Sequence, residues 1–157
     1  MIKKITAGLA LLVFIFNFNL ANSKIFIKAK VNNQIITNVD VKNEKNYLLA
    51  LNPSLRNLSE VNINRYAIDS LINEKIKQIE IEKRFEILQN EKVIKQIISD
   101  LYSKIGISDL ETFKEYLNNY GINLELVKNK ISIEVAWNDY IVNKFNNLVL
   151  VDEAKIR

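Results

Sequence analysis

Apolar residues recur through most of this chain at spacings of three and four, the period of an α-helix. The longest such run is Asn123 to Leu148, NLELVKNKISIEVAWNDYIVNKFNNL, with no Gly and no Pro. At about 100° per residue its apolar side chains fall into two rows. Leu124, Val127, Ile131, Val135, Val142 and Phe145 form one; Leu126, Ile133, Trp137, Tyr140 and Leu148 form the other, with Ile141 between them. The rows cover roughly 220° of the girth, about twice the stripe of an ordinary surface helix. Glu125, Lys128, Asn129, Ser132, Asp139, Asn143, Asn146 and Asn147 occupy the rest. Such a helix buries two sides, or buries one and leaves the other for a partner.

Upstream, the pattern first has the period of a strand. In KIFIKAKVNNQIIT, Ile25, Ile27, Ala29 and Val31 alternate with Phe26, Lys28 and Lys30. Asn32-Asn33 is a two-residue hairpin turn, because Asn tolerates positive φ. Thr37 and Asp40 have capping-box spacing and open a helix to Leu51, with Val41, Leu48 and Leu49 inward; Pro53 follows its end. Ser59 is the next N-cap. Val61 to Ile87 is a long helix with Ile68, Leu71, Ile72, Ile76 and Ile79 along its buried side, and Leu88 to Asn90 is a weak break. Glu91 to Ile105 is a third helix, stopped by Gly106. Ser108 and Glu111 have the spacing of a second capping box, for a helix carrying Leu110, Phe113, Leu117 and Tyr120 and stopped by Gly121. Asn123 caps the long helix. After it, Leu148 to Val151 reads as extended and Asp152 as the cap of a further helix. The fold class is mainly α: a small helical bundle around a long C-terminal helix, with an N-terminal β-hairpin.

Composition narrows the chemistry. The 157 residues are 48% hydrophobic and 25% charged, ordinary for a folded domain, and contain neither Cys nor His. Disulfides, thiol nucleophiles and His-based catalytic triads are excluded, and the usual zinc ligands are missing. No Gly-rich nucleotide motif is present, so no cofactor is expected. Asp40 with Glu44, and Glu111 with Glu115, pair carboxylates on one helix face. Solvated charge is the expected role of both pairs.

The first 23 residues, MIKKITAGLALLVFIFNFNLANS, have a secretory signal peptide's parts: Lys3 and Lys4, the apolar run Ile5 to Phe16, and small residues at Ala21 and Ser23. The run is shorter than the ~20 residues of a membrane span. Cleavage and a periplasmic location are therefore expected, without a stable membrane anchor. Without Lys3 and Lys4, 20 basic residues face 18 acidic ones, a net charge of +2. The charges are interspersed, with no basic stripe for nucleic acid. Trp137 and Tyr140, with Ile133 and Ile141, are the candidate peptide-binding residues, since Trp and Tyr join an apolar body to a polar tip. Phe113 and Phe145 are expected in the core.

The order of these parts resembles the N-terminal domain of SurA-type periplasmic chaperones, the parvulin-linked foldases. The hairpin VNNQIIT runs into NVDV. IDSLINEKI (Ile68 to Ile76) and EKRFEI (Glu82 to Ile87) follow. FKEYLNNYGI (Phe113 to Ile122) then leads into the Trp137 helix and VDEAKI. The resemblance spans Lys24 to Ile156. It implies a chaperone domain over residues 24–151 that binds unfolded outer-membrane proteins or other extended polypeptides without ATP, with residues 152–157 beginning a further segment. In the family, parvulin prolyl isomerase domains follow and a C-terminal segment packs back on this domain. No catalytic residue carries over, because the isomerase site lies beyond the matched part. Two alternatives stay open: the N-terminal part of a parvulin-type isomerase whose catalytic domain lies beyond Arg157, and a structural docking domain. The Trp137 row is expected to be partly uncovered.

Overall fold

A computed structural model describes residues 24–84, 87 and 90–145. The expected signal peptide, the residues after Phe145 and most of the break around Leu88 lie outside the described residues. The chain begins with a two-stranded antiparallel hairpin, β1 (Ile27–Val31) and β2 (Gln34–Thr37), turned at Asn32 with φ 51°. Five α-helices follow: α1 (Asn38–Leu51), α2 (Glu60–Glu82), α3 (Glu91–Lys104), α4 (Leu110–Asn119) and α5 (Leu124–Phe145). A 3₁₀ turn, Pro53–Asn57, links α1 to α2. The mainly helical fold with an N-terminal hairpin is as expected.

Local chemistry sets the helix ends. The Thr37 hydroxyl accepts from Asp40 N, while Thr37 N donates 2.7 Å to the Asp40 carboxylate, closing the expected capping box where hairpin meets helix. Ser59 caps α2 and Asn123 caps α5, its Oδ1 accepting from Leu126 N at 2.8 Å. Gly106 and Gly121 follow α3 and α4 at φ 81° and 69°, where a side chain would be strained. The α4 cap differs from expectation: Asp109, not Ser108, accepts from Thr112 N at 2.9 Å. Helix α2 ends earlier than expected, at Glu82, where Arg84 N closes a turn on Ile81 O.

Three apolar clusters hold the helices. The largest joins Ala50, Ile94, Ile98, Phe113, Leu117, Ile122, Val127 and Ile131, drawing together α1, α3, α4 and one side of α5. A second puts Ile36 of the hairpin on Val41 of α1 and Ala67 and Leu71 of α2. The third packs Ile81, near the end of α2, on Ile133 and Ala136 of α5. Helix α5 thus buries two sides, against α3/α4 and against α2.

Two inward stripes differ from the sequence reading. On α2 the buried residues are Ile63, Ala67, Leu71 and Ile81, while Ile76 is exposed. The small Ala67 permits close approach to the hairpin and α1, so it lies inward where a larger Ile was expected. On α5 the first row is buried only in its first half; Val142 and Phe145 are exposed. Phe145 is therefore not the core residue it was expected to be, whereas Phe113 is fully buried.

Phe113→Ala is expected to remove about 3–5 kcal/mol of stability by leaving a cavity. Phe145→Ala should cost under about 1 kcal/mol, as at a surface site. Urea denaturation of the two variants checks both, and equal losses would place Phe145 back in the core.

Candidate functional site: a charged seam and its clefts

Between the two apolar sides of α5 runs a polar line, Lys130, Glu134 and Asn138, at spacings of four. On α2 the facing line is Ser70, Glu74 and Lys77. The two lines meet a third helix at Glu44 and Tyr47 of α1.

Lys130 is the centre of this seam and is buried. Its ammonium donates to Glu44 Oε2 at 2.7 Å and to Glu74 Oε2, and it lies 4.9 Å from the centre of the Tyr47 ring. Glu44 is also buried; its other oxygen accepts from the Ser70 hydroxyl at 2.7 Å. Among the described residues no fully buried side-chain polar atom lacks a partner, as a buried charge requires. One turn along, Lys77 and Glu134 pair at 2.6 Å, joining α2 to α5 nearer the surface. Burial alone would lower the Lys130 pKa, but Glu44 and Glu74 outweigh it and hold the ammonium above the ordinary lysine value. The Tyr47 hydroxyl is pushed well above the ordinary tyrosine value, first by burial and then by Glu44, Glu74 and Glu134.

The seam borders open space. A cleft of about 430 Å³ lies between α1, α2, α3 and α5. Tyr47, Ile97, Leu101, Ile131 and Val135 form its apolar wall; Glu74, Lys77, Lys130, Glu134, Asn73 and Asn138 supply polar groups. A second cleft, about 260 Å³, opens on the hairpin side of the same three charges, lined also by Ile35, Ile36 and Leu126. Among the described residues no group of carboxylates is arranged to hold a metal ion.

The four residues read as peptide-binding lie on one side of α5 and are unevenly exposed. Ile133 and Tyr140 are buried, Ile133 because the last turns of α2 bring Ile81 onto this side. Trp137 and Ile141 are half-buried. The Trp137 and Tyr140 rings are 5.5 Å apart, and Tyr140 is flanked by Arg84 and Lys144, whose cationic groups lie 5.0 and 5.3 Å from its centre. Lys144 also donates to the Tyr140 hydroxyl at 2.9 Å. None of the four lines the main cleft.

Sequence reasoning missed the seam. Glu44 was expected on a solvated face, and Lys130 was assigned to neither row. A signal was present: residues 130, 134 and 138 interrupt the apolar arc of α5 with a polar line. Such a line is where a buried ion cluster or a wet cleft fits.

Removing the cation should be severe. Lys130→Met leaves two carboxylates uncompensated and is expected to cost about 3–5 kcal/mol. Adding Glu44→Gln and Glu74→Gln should recover most of that loss, so equal stability of the single and triple variants in urea would refute the charge argument. The raised pKa values also set a pH window. Lys130 and Tyr47 both hold protons in the folded state that the unfolded chain releases above about pH 10. Stability is then fully present below that pH and falls above it, by about 1.4 kcal/mol per pH unit for each group. Tyr47→Phe should make the alkaline slope shallower by one proton, measured by urea midpoints across the range. Comparison of the chain with protein-family models, curated proteins and solved structures returns no match.

Proposed function

We propose that the domain is an exported, ATP-independent chaperone that binds unfolded outer-membrane proteins or other extended polypeptides. The supporting observation is the main cleft: half-buried Ile97, Leu101, Val135 and Tyr47 on one side, and charges already paired with one another on the other. An extended segment can lay apolar side chains on the first wall. Its backbone amides can meet Asn73, Asn138 and Glu134, all exposed at the cleft. Because Lys77 and Lys130 already have carboxylate partners, the cleft does not demand a charged ligand. It selects for apolarity and extended shape, as a binder of varied clients must. Trp137 and Ile141, half-buried on another side of α5, extend the apolar surface. The ordered resemblance to the SurA-type N-terminal domain agrees with this reading.

The test is light scattering from an unfolded outer-membrane protein diluted out of urea. Wild type in stoichiometric excess should suppress aggregation. Ile97→Ser and Val135→Ser should each weaken capture roughly tenfold, equivalent to about 1.4 kcal/mol of lost apolar contact, with an unchanged far-UV spectrum. Absence of suppression by the wild type would overturn the proposal. Suppression unaffected by either substitution would move the client off this cleft.

A further inference from the structure

The hairpin carries a surface that the cleft does not explain. Strand alternation places Ile27 with Ala29 and Val31 on the inner face. The pairing shows otherwise: Ala29 opposes Ile36 and Ile27 opposes Thr37, so one extra residue, Lys28, is inserted in β1. A bulge of this kind reverses the facing of the residues beyond it. Ala29 pairs with the fully buried Ile36, whereas Ile27 pairs with Thr37, on the same face of β2 as the exposed Ile35. Ile25, Phe26 and Ile27 are then 71%, 51% and 64% exposed. Asn38 fixes this segment: its Oδ1 accepts from Phe26 N at 2.8 Å, and its own N donates to Phe26 O at 3.0 Å.

The charge around this ridge is mostly basic. Lys24, Lys28, Lys30 and Lys42 are exposed, and among the described residues no ion pair involves any of them. The two acidic residues of the hairpin and early α1 are occupied, Asp40 in the capping box and Glu44 in the buried cluster. Beside the ridge, Lys28, Lys42 and Lys45 line a cleft of about 180 Å³ together with Asn38 and Asn64; Lys45 pairs with Glu60 at 2.6 Å and Asn64 also donates to Glu60, so Lys28 and Lys42 carry its uncompensated charge. Lys28 and Lys42 are placed to meet a phosphate group there.

We propose that the outer face of the hairpin, with this lysine-lined cleft, docks the domain reversibly on an anionic phospholipid surface. Projecting Ile and Phe side chains enter the acyl boundary while the lysines meet headgroup phosphates. A second copy is a poor occupant, because a two-fold contact through the ridge sets lysines against lysines. An acidic peptide would have to enclose three projecting side chains, whereas a bilayer accepts them without a preformed pocket. This docking is peripheral; no described helix is long and apolar enough to cross a membrane.

The chain has no cysteine, so Ile27→Cys in the full chain carries an environment-sensitive dye at the ridge alone. Asn118→Cys on α4 is the control position. Vesicles of phosphatidylcholine with phosphatidylglycerol should blue-shift the dye at 27 but not at 118, and high salt should reverse the shift. Each lysine is worth roughly fivefold in binding, so Lys28→Glu with Lys42→Glu should weaken it tenfold or more. Circular dichroism confirms that the variants fold. The apolar leader is the same in all of them, so their difference reads the ridge. No shift at 27, or an equal shift on pure phosphatidylcholine, overturns the proposal. So does a shift produced by an Asp-rich apolar peptide or by inorganic phosphate while vesicles give none. Aggregation suppression is read separately, so failure here leaves the cleft reading standing.

Discussion

The buried contact of Lys130 with Glu44 and Glu74 constrains the rest of the bundle. It pins α1, α2 and α5 at one point, with Ser70 and Tyr47 completing the shell. Two carboxylates and one ammonium do not neutralise, and taking such ions wholly out of water costs more than their attraction returns. The structure resolves this by leaving the seam in reach of solvent. Glu74 borders the 430 and 260 Å³ clefts and a third of about 410 Å³ on the far side of α5. The clefts are therefore a consequence of the charge: α2 and α5 cannot close over the seam as they close at Ile81 and Ile133. The two apolar sides of α5 follow as well. One packs on α3 and α4, the other on the end of α2, and the polar line between them faces the opening.

The hairpin depends on a second local constraint. Two strands alone are marginal in water. Here they are held by Ile36 in the α1–α2 cluster and by the capping box that joins β2 directly to α1. One face is committed to that contact. The bulge at Lys28 then decides which β1 residues share it, and sends Ile27 to the other side. A single inserted residue thus creates the ridge, without any change in the composition of the strand.

The helices and most of their ends were legible in the sequence because local rules govern them. Thr37, Ser59 and Asn123 act where cap chemistry places them, and both glycines stop helices at positive φ. Ser108 failed as a cap because its neighbour Asp109 competes for the same amides and wins. Facing was less legible, since it depends on partners. Ala67 is too small to register in an apolar count, yet it sets how closely α2 approaches. Ile76 is large and apolar but lies outside the three clusters and is exposed. Glu44 was read as solvated because single charges usually are; its burial requires knowing that Lys130 arrives from 86 residues away. The bulge leaves no trace in an alternating pattern.

The cleft and the ridge both present apolar side chains, so apolarity alone does not separate their roles. Charge does. Along the cleft every lysine has its carboxylate: Lys130 with Glu44 and Glu74, Lys77 with Glu134. Around the ridge Lys24, Lys28, Lys30 and Lys42 have none among the described residues. A self-neutralised wall gives little long-range attraction and holds a ligand by contact, so its affinity follows shape and apolar area and changes little with salt. An unneutralised rim attracts anions from beyond contact distance and weakens as salt screens it. The same net charge of a few units could have been spread evenly and done neither. Its segregation gives one domain two kinds of surface, and salt dependence is the physical property that tells a ligand of the cleft from a ligand of the ridge.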